Sequence, residues 1–290
     1  MTEFKTKTPI SAGWSHDKKY KVTDSDGKTY FLRVYPDGDA ERHRREYELM
    51  LNVESYSVPM AKALEFGVDN GEPYLLTEWI DGDVADTVIP KLPKEKSYDY
   101  GRQAGEYLKR IHLIPAPINC EPWGERFSRQ LDNRLDLYAS CELKYEHGAM
   151  FYAYCKANRE LFAERQQCMH HGDYHVGNMM IDRDGVLKII DFNRFDHGDP
   201  FKEFNRIAWS AQCSDAFATG LVDGYFGGNV PEEFWRLLLL YLSSNILGSL
   251  PWAIPYGEGE IKTMRKQAQE ILEWYEYFHR IVPSWYRKNY

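Results

Sequence analysis

His171-Gly-Asp173-Tyr-His175-Val-Gly-Asn178, with Ile190-Asp191-Phe192 shortly after it, is the stretch whose reading decides the fold. Two short apolar runs, 179–181 and 186–190, lie between the pieces and flank Asp182-Arg-Asp-Gly185, whose chemistry is that of a hairpin turn. A lone His-Gly-Asp is an ordinary turn, and a lone Asp-Phe is an ordinary strand end. Found in this order, with an Asn placed between them and a hairpin returning the chain, they form a constellation of two carboxylates and an amide. Hard oxygen donors of this kind, Asn178 and Asp191, suit Mg²⁺. Asp173 is left as a carboxylate able to orient a hydroxyl and take its proton.

Upstream, the first eighty residues alternate β-type runs with turn residues. Residues 19–23 and 29–35 are strand-like around Asp24-Ser-Asp-Gly27, and 63–68 and 74–79 are strand-like around Asp69-Asn-Gly71. Residues 40–53 have helical spacing, with Leu49, Met50 and Val53 apolar. The composition changes at Ile80-Asp-Gly-Asp83, and helical patterns follow at 97–114, 126–141, 148–165, 200–213, 231–250 and 258–279. The expected fold is α+β, a small antiparallel sheet with one helix followed by a large, mainly helical part that holds one hairpin. The expected division is 1–81, a nucleotide-binding lobe, and 82–290, a helical lobe with the catalytic loop and a substrate pocket.

Asp173 and Asn178 stand five apart, the separation in the kinase catalytic loop. The segment 171–178 resembles the catalytic loop of aminoglycoside phosphotransferases and choline-kinase-like enzymes, small-molecule kinases with the two-lobed protein-kinase-like fold. The resemblance extends through Leu75-Leu-Thr-Glu-Trp-Ile-Asp-Gly82, Leu108-Lys-Arg-Ile-His112 and Gly198-Asp-Pro200. It implies Asp173 as catalytic base, Asn178 and Asp191 as Mg²⁺ ligands, and the backbone around Glu78 and Ile80 as the adenine-binding hinge. His175 falls where protein kinases often carry a lysine facing the γ-phosphate, though a loop-stabilising histidine is an equal reading. Ile10-Ser11-Ala-Gly13-Trp-Ser15 sits where a phosphate-covering loop belongs, with a single glycine. Glu46 aligns with the helix Glu that pairs a strand Lys, and Arg33 occupies that lysine's position. A charge in an apolar strand needs a partner. Arg33 therefore has Glu46 and a nucleotide phosphate as candidates, both suited to its fork.

The implied activity is transfer of the γ-phosphate of ATP or GTP, with Mg²⁺, to a hydroxyl of a small molecule. The acceptor expected is a small, amine-bearing molecule such as an aminoglycoside-type antibiotic, and with it antibiotic resistance; choline or an amino sugar are alternatives that no residue separates from it. So is an inactive nucleotide-binding pseudokinase, which Arg33 alone favours. Only eight residues separate Asp191 from Pro200, too few for a peptide-cradling activation segment, which sets a protein kinase aside. Net charge is −8 and no run of Lys and Arg appears, which argues against nucleic acid and agrees with a cationic acceptor. Five scattered cysteines without a Cys-x-x-Cys pair, and an N-terminus lacking an apolar core, lead us to expect a reduced, cytoplasmic protein. The apolar run 237–250 falls short of the ~20 residues of a membrane span, so a buried helix is expected. Gly27-Lys28-Thr29 lacks the first glycine of a Walker loop, and Cys168-Met-His170-His171 lacks a second ligand pair for zinc. Asp199-Pro200 reads as a helix cap, and Asp196 and Glu203 read as solvated charges or contacts to a cationic substrate.

Overall fold

A computed structural model of the chain describes residues 4–11 and 16–288. In the first third lie β1 (Thr6–Pro9), β2 (Lys18–Thr23), β3 (Thr29–Val34), α1 (Ala40–Ser55), β4 (Ala63–Asp69), β5 (Glu72–Glu78), β6 (Gly82–Val84) and α2 (Ala85–Val88). The middle holds α3 (Lys94–Ile111), α4 (Trp123–Ser140), α5 (Gly148–Ala157), β7 (Cys168–His170), β8 (Met179–Asp182), β9 (Leu187–Ile189) and β10 (Asp196–Gly198). The last part is helical: a 3₁₀ segment Pro200–Arg206, α6 (Ile207–Cys213), α7 (Asp215–Phe226), α8 (Glu232–Ala253) and α9 (Glu258–Trp274). This is the α+β, protein-kinase-like architecture.

Two compact units result, residues 1–88 with 178–195, and residues 89–177 with 196–290. The division expected at residue 81 differs from this because the hairpin β8–β9 pairs with β6 and so belongs to the first unit. Gly82 permits that pairing, since a Cβ there would overlap the Ile181 carbonyl.

The first unit is built on an antiparallel sheet in the order β1-β2-β3-β5-β4. Asp24 closes the β2–β3 turn by accepting from the backbone N–H groups of Asp26 (3.0 Å) and Lys28 (2.9 Å), while Gly27 supplies the positive φ. Alternation along β2, β3 and β5 puts Val22, Leu32, Val34, Tyr74 and Leu76 into one apolar cluster. Asp39 caps α1 by accepting from Arg42 N at 3.0 Å. That helix buries His43, Glu46, Met50 and Val53, residues three or four apart, so two of the four are polar.

The second unit holds two surprises. α7 escaped the sequence reading because it is buried nearly all round and shows no amphipathic stripe. It packs against α3 with the backbones in contact, since a Cβ at Gly101, Gly105, Gly220 or Gly224 would overlap a carbonyl of the other helix. The three-residue strands β7 and β10 pair antiparallel and are too short to show alternation. α8 is long and apolar enough to cross a membrane, yet 67% of its most apolar stretch is buried within the protein. The helix expected at 148–165 ends at Ala157 and gives way to a 3₁₀ turn.

Candidate active site

Within the second unit, the loop 171–177 leaves β7 with four of its backbone donors engaged by side chains. Gly172, at φ 87°, donates to Glu203 Oε1 at 3.0 Å. The N–H of Asp173 reaches His171 Nδ1 at 3.3 Å, that of Val176 reaches Ser210 Oγ at 3.1 Å, and that of Gly177 reaches His175 Nδ1 at 3.1 Å. Tyr174 is buried and donates its hydroxyl to Ala104 O at 2.6 Å. So tied, the loop presents a preset carboxylate. Asp173 forms an ion pair with Arg206 (3.1 Å) and lies 3.8 Å from His175 Nε2. Because His175 Nδ1 accepts, its proton sits on Nε2, on the side of Asp173. His175 thus closes the loop turn as well as bordering the Asp173 carboxylate.

Glu203 is not the solvated charge the sequence suggested. It is 3% exposed, beneath Gly172, with His112 Nε2 at 3.9 Å, near enough to attract without sharing a hydrogen bond. Burial opposes its charge, but His112 and the neighbouring imidazoles outweigh burial and hold the carboxyl down to about 2. A carboxyl depressed in the fold stabilises above its unfolded value near 4.5, and that contribution fades as pH falls toward 2. Glu203→Gln is expected to cost ~1–3 kcal/mol near neutral pH, since the Gly172 N–H loses a charged acceptor. Urea unfolding checks this: the gap between parent and variant must shrink near pH 3, and an unchanged gap there would refute the assignment. Asp196 is likewise engaged, paired to Arg126 at 3.1 Å. Asp199 is the expected cap, accepting from Phe201 N at 3.0 Å, and it also holds Arg165 and the Tyr241 hydroxyl.

His112, Cys168 and His170 bring their ligand atoms within 4.8 Å of one another. Each already has a structural bond. His112 Nδ1 meets Tyr225 OH at 2.8 Å, Cys168 donates to Gly198 O at 3.7 Å, and His170 donates from Nε2 to Asp199 O at 2.9 Å. Burial drives the Cys168 thiol well up, away from the thiolate a metal needs. The trio joins β7 to β10 and to α3 as part of the core.

In the first unit Arg33 is the hub. β3 delivers it to a site where it is 6% exposed, and its guanidinium meets Asp191 at 2.8 Å, Glu46 at 3.7 Å and Asp17 at 3.7 Å. Burial works against the charge, but Asp191, Tyr35 and Glu46 more than offset it and raise the guanidinium pKa. Glu46 is fixed in turn by the Tyr35 hydroxyl (3.1 Å) and His43 (3.4 Å). Asp17 and Asp191 as partners of Arg33 had no sequence signal; Glu46 had one.

The hairpin β8–β9 brings its two ends together, Ile190 N donating to Asn178 O at 3.1 Å. Asp191 follows directly, at φ 67°, a left-handed conformation that a non-glycine residue adopts only where its surroundings enforce it. Asn178 and Asp191 thereby flank one hairpin mouth, with hard oxygen donors of the kind that fit Mg²⁺. At the expected hinge, Glu78 ends β5 and takes a backbone bond to Lys62 O (2.9 Å), while Trp79 and the buried Ile80 leave the ladder. Ser11 is exposed just after β1. Gly13 and Ser15 lie outside the described residues.

A family model described as "Phosphotransferase enzyme family" matches residues 6–237. No curated protein matches the chain. Solved structures share its fold over nearly full length. An aminoglycoside phosphotransferase APH(4)-Ia thermostable mutant, in ternary complex with ADP and hygromycin B, is 16% identical with TM-score 0.68, covering 93% of this chain and 94% of that one. A choline/ethanolamine kinase family protein from Mesorhizobium loti is 16% identical with TM-score 0.65, over 94% and 90%. The GDP complex of a mutant aminoglycoside 2'-phosphotransferase-IIIa is 12% identical with TM-score 0.65, over 93% and 92%.

Proposed function

Because the chain belongs to the phosphotransferase enzyme family, we propose that it transfers the γ-phosphate of ATP or GTP to a hydroxyl of a small molecule. The observation that carries this reading is Asp173, a half-buried carboxylate on a loop whose backbone donors at 172, 173, 176 and 177 are all engaged. Such a loop costs little reorganisation when a hydroxyl arrives. Asp173 orients that hydroxyl and takes its proton as the oxygen–phosphorus bond forms. The bond from γ-phosphorus to the bridging oxygen breaks, the nucleoside diphosphate leaves, and the proton passes on to solvent. Asn178 and Asp191 would hold Mg²⁺, which when bound supplies positive charge to the β- and γ-phosphates.

Arg33 stands for the usual lysine. Its placement between Glu46 and Asp191 keeps a cation at that position and supports a working site over a pseudokinase. The backbone at Glu78 to Ile80 receives the base of the nucleotide in this reading, and the first unit is the nucleotide-binding one. A cytoplasmic setting, with neither membrane nor nucleic acid as partner, belongs to the same proposal and is supported by five free cysteines. The test is nucleotide consumption across a panel of hydroxylated small molecules, with and without Mg²⁺. We expect consumption with at least one compound, phosphorylated product, and dependence on Mg²⁺ or Mn²⁺. Activity that requires zinc instead would refute the ligand assignment.

A further inference from the structure

We propose that a row of cations supplied by α4 and the segment 200–206, and ending at Asp173, receives an acidic group of the acceptor, a carboxylate or a phosphate. This rests on the kinase reading above and names the acceptor's class.

The row comprises Arg126 and Arg134, two turns apart on α4, and Lys202 and Arg206, four residues apart on the next segment. Arg206 is the member that pairs with Asp173. Arg126 pairs with Asp196 through one nitrogen, but its Nε and Nη2 are buried with no hydrogen-bond partner. Arg134 is half-buried, with the Ser244 hydroxyl at 2.8 Å as its partner. Its stem runs past Gly248, one turn further along α8, where a Cβ would sit 3.4 Å from Arg134 Cγ, an ordinary contact. Lys202, also half-buried, stands 5.5 Å from the centre of the Trp123 ring. Among the described residues no carboxylate lies at ion-pair distance from Arg134 or Lys202.

Half-buried cations with no carboxylate at ion-pair distance are costly, and a protein that keeps two of them gives up stability for them. Burial, with Arg134 and Arg126, pushes the Lys202 ammonium down to about 8 against the weaker pull of Asp196 and Glu203, and burial and Arg206 lower Arg134. Each member therefore feels the next, from Arg126 through Lys202 and Arg134 to Arg206. A ligand anion entering the row gains charge-assisted bonds from donors already desolvated. Its hydroxyl, on the Arg206 side, is then delivered toward Asp173. An ammonium group in the same place would meet repulsion from four cations, and the carboxylates beside the row, Asp196 and Asp173, are already paired to Arg126 and Arg206.

The first measurement needs no turnover: melting temperature in inorganic phosphate against chloride at equal ionic strength. The parent is expected to melt higher in phosphate. Lys202→Gln should abolish that shift and, without phosphate, melt above the parent, since an unpaired charge is gone. Lys202→Arg should retain the shift, and so should Arg33→Ala, which separates this row from a nucleotide-phosphate site. No phosphate-specific shift in the parent, or a shift lost with Arg33→Ala and kept with Lys202→Gln, overturns the proposal.

The second measurement uses the unmodified protein, so it stands even where a variant fails to fold. Glycerate, glycerol 3-phosphate, glycerol and 2-amino-1,3-propanediol share a three-carbon hydroxyl skeleton and differ in charge. With nucleotide and Mg²⁺, the acids are expected to show KM values lower by on the order of tenfold or more. Preference for glycerate identifies a carboxylate, and preference for glycerol 3-phosphate identifies a phosphate. Preference for the amine or for glycerol overturns the proposal. Absence of turnover with every compound counts against the kinase reading alone, and the phosphate shift then decides the anion site.

Discussion

Asp173→Asn is expected to lower kcat by ~10²–10⁴-fold while nucleotide binding persists. Asn keeps the shape of the side chain and its reach toward Arg206, which lies 3.1 Å from Asp173 now. What it loses is the negative charge and the ability to take a proton. Backbone N–H groups bonded to His171, His175 and Glu203 hold the loop, so its conformation should survive. The loss should therefore fall on kcat rather than on nucleotide affinity. Steady-state turnover and calorimetric titration with nucleotide separate the two. A variant with near-normal turnover would remove Asp173 from the chemistry.

The second large effect belongs to Asp191. As a proposed Mg²⁺ ligand it takes part in charge stabilisation worth several kcal/mol, so Asp191→Ala is expected to lose roughly 10³-fold in turnover. Metal-dependent nucleotide affinity should fall with it. Arg33→Ala offers a graded comparison, because Arg33 is bonded to Asp191 at 2.8 Å and lies near Glu46 and Asp17. Losing one charge-assisted bond to a phosphate costs ~1.5–3 kcal/mol, or about 10-fold or more. Nucleotide titration with and without Mg²⁺ distinguishes the variants: Asp191→Ala should erase the difference made by metal, and Arg33→Ala should reduce affinity in both conditions. Equal metal dependence in Asp191→Ala and in the parent would show that other groups hold the cation.

Net charge and local charge point in opposite directions here. The chain carries −8 overall, which by itself agrees with an amine-bearing acceptor. In the row that ends at Asp173, however, α4 and 200–206 contribute four cations, two of them without a carboxylate at ion-pair distance. Because salt screens charges beyond about a Debye length, we weigh the local arrangement above the net charge in proposing an acidic acceptor.

Where the sequence was sufficient, the signal was local. Asp173, Asn178 and Asp191 are set by a loop and a hairpin within twenty-one residues, and the turn Asp182-Arg-Asp-Gly185 that joins them is written in residue chemistry. The same holds for the β2–β3 hairpin, for α1 with Glu46 on its buried face, and for the Asp199 cap. Tertiary structure alone decided the rest. Residues 178–195 joined the first unit through pairing with β6, a long-range register that no short window contains. α7 was invisible because a helix buried all round has no period to detect. Glu203 looked solvated in the sequence, and only the fold under Gly172 turned it into a buried anchor. The row Arg126, Arg134, Lys202 and Arg206 exists only because α4 and 200–206 meet; their charges are dispersed along the chain, and side-chain desolvation is a property of packing rather than of sequence spacing.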